Sequence, residues 1–190
     1  MLPPIATLDP SNLGSVLAVL FEPSDILTSL VPSLAAAAPF ASYTDLIDAA
    51  VQRVGDLPLP QRAQFIAGHP RIGETKNLSA LSAKEQGATP AVAPTPPEVL
   101  ARLAHLNACY ERRYPGLRYI TFVNGRTRAA IALEMEDALG VPHSLSPDQP
   151  PVEEIASIDS SSDAFRAELD RAVADVGRIA KGRLGNLQIK

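Results

Sequence analysis

The chain has 190 residues, of which 46% are hydrophobic, 20% charged and 5% aromatic, and it carries a net charge of −4. That length suits one domain with its own core, and the apolar fraction excludes wholesale disorder. The acidic balance argues against a nucleic-acid-binding surface, and the lack of tryptophan weakens a base-stacking platform.

Proline punctuates the chain, and the apolar stretches between prolines follow a helical period. Ser11 is placed to cap a first helix through about Phe21, with Pro23 stopping it. Ser24 is placed to cap a second short helix through Leu30, and Pro32 to Pro39 reads as a linker. Thr44 precedes an amphipathic face of Leu46, Ile47, Ala50, Val51 and Val54, closed by Gly55. Pro60 to Ala67 reads as a helix that stops at Gly68-His69-Pro70, because the residue before proline is pushed out of the α region. His69 is therefore expected extended and near the surface. Arg71 to Ala80 reads as loop, Ser82 begins a short helix, and Gly87 to Pro97 holds four prolines and is expected to cross the surface.

Pro97 suits a first helical turn, and Val99, Leu103, Leu106 and Tyr110 make one apolar stripe through about Arg113. Tyr114-Pro115-Gly116 ends that helix. Tyr119 to Val123 is the one extended run, and Thr127 to Leu139 is helical with Gly140 at its end. His143 to Ser162 is a polar loop, and a final long helix runs from Asp163 to Leu184. The predicted architecture is all-α: one domain, 1–190, of about seven or eight short helices, with an extended segment near 119–123 and Pro-rich loops near 88–97 and 143–160.

Cys109 is the single cysteine, which excludes an internal disulfide and a Cys-rich zinc cage, and favours a reducing compartment. No apolar run reaches the ~20 residues of a membrane span, so no membrane partner is expected. The N-terminus lacks a basic secretory start and the C-terminus lacks a Ser-Lys-Leu address, so cytoplasmic residence is expected ahead of peroxisomal.

Six arginines lie between Arg102 and Arg128 against one acid, and seven acids lie between Glu134 and Asp159 with no Lys or Arg. These are either solvated faces of opposite sign or arginines facing an anionic small molecule. No two histidines have metal-ligand spacing, so no metal is expected. Ser82-Ala83-Lys84-Glu85 fits a capping box, in which Glu85 would satisfy the backbone N–H of Ser82. Cys109, mid-helix with no activating neighbour, reads as an inert thiol.

Taken in order, several segments resemble the 2-oxo-4-hydroxy-4-carboxy-5-ureidoimidazoline (OHCU) decarboxylase family. They are Leu20-Phe21-Glu22, Pro39-Phe40, His69-Pro70-Arg71-Ile72-Gly73, Leu81-Ser82-Ala83-Lys84-Glu85-Gln86, Leu106-Asn107 with Tyr110, Tyr114 to Gly125, and Arg178-Ile179-Ala180 with Arg183-Leu184. The resemblance implies an all-α enzyme, without cofactor and often a homodimer, that makes (S)-allantoin from a small-molecule substrate in urate degradation. It implies that His69 and Glu85 are catalytic and that Pro70, Ser82 and Gln86 line the pocket. It implies further that Ile120, Thr121, Phe122, Val123 and Asn124 meet the flat ring. Many members carry an arginine where this chain has Asn124. Arg126, ahead of Arg118, is expected to supply that charge, since it shares a face with Asn124 if the extended geometry persists through Gly125. The alternative is a non-catalytic helical interaction domain on the same scaffold; a metal-dependent hydrolase is more distant.

Overall fold

The computed structural model describes residues 2–74, 79–85 and 94–187. Among these residues it holds eight α-helices and no strand: α1 Pro10–Phe21, α2 Asp25–Ala35, α3 Tyr43–Gly55, α4 Leu59–Ala67, α5 Ala80–Glu85, α6 Pro97–Arg113, α7 Arg128–Leu139 and α8 Asp163–Leu184. The chain divides into two compact units, Met1–His69 with Leu169–Lys190, and Pro70–Glu168. One division falls between His69 and Pro70, and the other falls within α8, between Glu168 and Leu169.

In the first unit, α1 to α4 pack in sequence and bury Leu17, Leu20, Leu34, Leu46, Ile47 and Ile66. The cap of α1 is Asp9, not Ser11. The Asp9 carboxylate accepts from the N–H groups of Ser11 and Asn12, and the Asn12 side chain accepts from the Asp9 N–H, a reciprocal capping box two residues earlier than expected. α2 also departs from expectation, running through Pro32 to Ala35. The proline ring lies on the exposed side, where the Thr28 carbonyl it leaves without a helical partner can meet water. Full burial of Leu34 rewards continuation by roughly 1.5–3 kcal/mol, similar to the ~3 kcal/mol that an interior proline costs. Ser42 caps α3 by accepting from the Asp45 N–H. α8 lies close against α3: a Cβ on Gly177 would stand 2.9 Å from Val51.

In the second unit, α6 packs on α7. The predicted stripe Val99, Leu103, Leu106 and Tyr110 is buried, as are Ile131, Met135 and Leu139 of α7. Thr127 caps α7 through the Ala130 N–H, and Gly140 closes it in the left-handed conformation, φ 68°. α8 spans the predicted residues, with Phe165, Leu169, Ala172, Val173, Val176 and Ala180 buried. The uneven charge along the chain resolves differently from either expectation. Arg102 and Glu136, both fully buried, pair at 2.7 Å, and Arg126 pairs with Glu134, so basic and acidic stretches meet each other. Arg102 also donates to the carbonyls of Ser146 and Gln149, and Glu136 accepts from the Ser144 N–H, which ties the 143–150 loop to both helices. Cys109 is fully buried, and that burial raises its thiol pKa.

Candidate active site

His69 follows the last turn of α4. Its N–H donates to the Ile66 carbonyl at 3.1 Å, and Pro70 stops the helix there. The expected surface position is corrected: the residue is 7% exposed, with its ring edge-on to Phe65 at a centroid distance of 5.0 Å. Nδ1 lies 3.0 Å from the Phe65 carbonyl oxygen. A carbonyl only accepts, so Nδ1 carries a proton and the basic atom of the neutral ring is Nε2. Burial is the strongest influence on the imidazole and holds its pKa below the ordinary value. The Phe65 carbonyl pulls the other way, Arg183 adds to the depression, and Glu22 and the Phe21 carbonyl oppose it. The balance keeps His69 neutral at pH 7, the state a general base requires.

The charges near His69 come from the end of α1 and from α8. Glu22 follows α1 with φ 75° and ψ 153°, a region that residues with a Cβ rarely occupy and that costs roughly 1–3 kcal/mol. Arg183, 3% exposed, donates to the carbonyls of Val19 at 3.3 Å and Leu20 at 3.1 Å, and to Glu22 Oε1 at 2.8 Å. The guanidinium thereby satisfies last-turn carbonyls of α1 that the helix leaves open.

In the second unit, α6 braces the segment that begins at Pro70. Arg71 donates to both carboxylate oxygens of Glu111, at 2.5 and 3.0 Å. Asn107 Nδ2 donates to the Ile72 carbonyl at 2.9 Å and to that of Leu103 at 2.8 Å. Gly73, at φ 84°, lies where a Cβ would come 3.1 Å from Leu103. The Pro-Arg-Ile-Gly and Leu-Asn-x-x-Tyr segments are therefore partners in one hydrogen-bonded arrangement.

α5 corrects the expectation that Ser82 opens this helix. The hydroxyl of Ser79 accepts the Ser82 N–H at 3.1 Å, so Ser79 is the cap and Ser82 sits in the first turn, 3% exposed. Glu85 is the last residue of the helix and not its third position. The Glu85 side chain and Gln86 lie outside the described residues.

Tyr119, Ile120 and Thr121 are buried, Phe122 and Val123 half-buried, and Asn124 exposed. The run is clamped to α7 through Glu134, whose Oε1 accepts from Tyr119 at 2.5 Å and Thr121 at 2.7 Å. Arg126 pairs with the other oxygen of Glu134 and donates to the carbonyls of Phe122 at 2.6 Å and Val123 at 3.1 Å. The extended geometry ends at Val123. Asn124 at φ 45° and Gly125 at φ 75° form a turn closed by the Arg126 N–H on the Val123 carbonyl, 3.0 Å. The expectation that Asn124 and Arg126 share a face through a continuing extended run is thus corrected, and the Arg126 charge is already matched by Glu134. Sequence spacing gave no sign of Glu134, Glu22 or Arg183 as neighbours of these segments; only the unexplained charge asymmetry pointed toward Glu134.

A family model described as OHCU decarboxylase matches residues 6–148, well over half of the chain. The chain belongs to the OHCU decarboxylase family. It is accordingly a carboxy-lyase of that family. Among solved structures, a crystal structure of OHCU decarboxylase in the presence of (S)-allantoin is similar, with a TM-score of 0.56 and 17% identity over 90% of this chain and 94% of that one. That likeness shows the all-α fold. No curated protein matches the chain. In this decarboxylase family member, no three His, Cys, Asp or Glu side chains among the described residues gather where they could hold a metal ion. No helix among the described residues is long and apolar enough to cross a membrane.

Proposed function

We propose that the chain converts 2-oxo-4-hydroxy-4-carboxy-5-ureidoimidazoline to (S)-allantoin, with His69 handling the proton of the substrate hydroxyl. The observation that carries the role is the buried His69 imidazole, with Nδ1 at the Phe65 carbonyl and its pKa held below the ordinary value. A neutral ring accepts a proton at Nε2 at the start of the reaction and returns one at its end. The substrate carboxyl is attached beside a C=N bond. When the carbon–carbon bond to the carboxylate breaks, its electron pair delocalises into that bond as CO2 departs. Protonation of the ureido-bearing carbon from one face then gives one enantiomer. The substrate carries its own electron sink, so the chemistry calls for no metal or prosthetic group.

Glu85 orients the imidazole or binds the ureido N–H groups, a role that the family resemblance supports. Pro70, Ser82 and Gln86 line the pocket, and the backbone of Ile120 to Asn124 reads the ring. Arg126 and Arg118 are the candidate contacts for the departing carboxylate. The family resemblance supports a homodimer, and the lone cysteine supports the cytoplasm.

The experiment is to add the protein to freshly generated urate-oxidation products and follow their ultraviolet absorbance. Accelerated decay of the ureidoimidazoline with accumulation of one allantoin enantiomer supports the assignment. Decay at the buffer rate to a racemic product overturns it and points to an interaction domain.

A further inference from the structure

Three arginines are buried among the described residues: Arg102, Arg128 and Arg183. Two of them are matched by a carboxylate, Arg102 by Glu136 at 2.7 Å and Arg183 by Glu22 at 2.8 Å. Arg128, 8% exposed, has only neutral partners among the described residues. Its Nη1 donates to the Thr95 hydroxyl at 3.2 Å, and its Nη2 makes a long contact of 3.5 Å with the Glu74 carbonyl. Nε is buried with no hydrogen-bond partner. The helix that Arg128 opens, α7, has no acid in its first turn. Two of the five N–H groups of the guanidinium are thus engaged.

Stability does not explain this arrangement. A buried charge without a counter-charge is costly, and a neutral amide side chain would make two such contacts with no charge to desolvate. Burial lowers the Arg128 pKa, yet an arginine in a protein stays protonated. The unmatched positive charge calls for an anion from outside the chain. The placement suits one. Arg128 lies in the second unit, between the end of the Pro70 to Glu74 segment and Thr95 just ahead of α6. Thr127, Ala129 and Ala130 beside it are exposed, so the start of α7 is open to solvent, and the positive end of the helix dipole adds to the attraction. Arg126, by contrast, is exposed and already paired with Glu134.

We propose that Arg128 is an anion-binding residue that receives the carboxylate of a cyclic ureide through Nε and the remaining Nη protons. A guanidinium edge and a carboxylate match as two parallel hydrogen bonds. The role is the one expected of Arg126 from sequence. The identity of the ligand rests on the decarboxylation proposed above, whereas the anion site is tested by binding alone.

The probe is hydantoin-5-acetate, a stable cyclic ureide that bears a carboxylate, with hydantoin as the uncharged control. The Nε–H resonance of Arg128 is followed by NMR and assigned by its loss in Arg128→Lys; affinities are measured by calorimetry. Hydantoin-5-acetate should shift that resonance saturably, and Arg128→Gln should weaken its binding about 10–100-fold, the loss of a charge-assisted hydrogen-bonded contact. The affinity for hydantoin should be the same in both proteins. In turnover, Arg128→Gln should raise KM more than it lowers kcat, because the carboxylate is held before its bond breaks and is lost as CO2. If Arg128→Gln does not fold, Arg128→Lys keeps the charge without the planar fork, and severalfold weaker binding is expected from it. Equal affinity in the folded variant, a resonance that stays in place while the probe binds, or no binding to wild type overturns the proposal. Wild type that binds the probe through Arg128 but turns nothing over keeps the anion site and removes the decarboxylation. Wild-type turnover that is unchanged in Arg128→Gln keeps the decarboxylation and overturns the role of Arg128.

Discussion

The Phe65 carbonyl oxygen lies 3.0 Å from Nδ1 of His69, four residues on, and so dictates which nitrogen of the buried ring is basic. Proton uptake by the ring must then occur at Nε2. His69→Asn is expected to lower kcat by roughly 10²–10⁴, the usual contribution of acid–base catalysis. Because the residue is 7% exposed rather than at the surface, Asn is the informative replacement and Ala the one that leaves a cavity. Unchanged turnover in a folded His69→Asn protein would remove the assignment.

The same ring predicts how stability changes with pH. Its pKa in the folded protein is lowered, chiefly by burial, while the unfolded chain keeps the ordinary value of about 6.5. Below that value the unfolded state binds more protons, so the His69 contribution to stability is full above about 6.5 and is lost as pH falls toward the folded pKa. Urea titrations between pH 7 and pH 5 should show this fall, and His69→Asn should flatten it. An equal slope in the two proteins would show that other groups produce the fall.

Ser79 and Glu85 can be separated by substitution. Removing the Ser79 hydroxyl, which accepts the Ser82 N–H, should cost about 0.5–2 kcal/mol. If Glu85 is a pocket carboxylate, Glu85→Gln should leave the melting temperature unchanged and lower kcat strongly. Near-normal turnover in Glu85→Gln would return that residue to a purely structural role.

Glu134 holds the run that ends at Val123, through Tyr119, Thr121 and Arg126. Glu134→Gln and Arg126→Ala should therefore behave alike, each losing about 1–3 kcal/mol of stability and raising KM. If Arg126 instead holds the substrate carboxylate, Arg126→Ala will lose about 1.5–3 kcal/mol in kcat/KM while Glu134→Gln stays near wild type. The same changes at Arg118 complete the comparison: a crippled Arg118→Ala beside a mild Arg126→Ala moves the anion contact to Arg118.

The fully buried pair of Arg102 and Glu136 gives a stability test apart from the site. Arg102→Met leaves Glu136 buried without its counter-charge and should cost roughly 3–5 kcal/mol. Combining it with Glu136→Leu should recover part of that loss, as read from urea midpoints. A double variant no more stable than the single one would show that the ties to the Ser146 and Gln149 carbonyls matter more than the charge.

Helices with a clear apolar period and unambiguous ends were legible from residues alone. Pro97 opens α6, Gly140 closes α7 with a positive φ, and the Phe165 to Ala180 pattern marks α8. Caps were less legible, because Asp9, Ser11, Ser79 and Ser82 are chemically alike and tertiary packing decides which one starts the helix. Pro32 read as a break because propensity is local, whereas the burial of Leu34 that sustains α2 is not. In the candidate site, His69 and its neighbours formed a recognisable pattern in sequence. Glu22 and Arg183 belong to segments of the same pattern, but their pairing was not legible, since they lie at opposite ends of the chain and only folding brings them together.

The measurement that bears most directly on the decarboxylation is the circular dichroism of allantoin formed from freshly oxidised urate, with wild type and His69→Asn compared at equal concentration. Wild type should produce (S)-allantoin faster than buffer does, and His69→Asn should fall back toward the slow racemic background. A wild-type protein that leaves both the rate and the racemic outcome of the buffer unchanged would contradict the assignment.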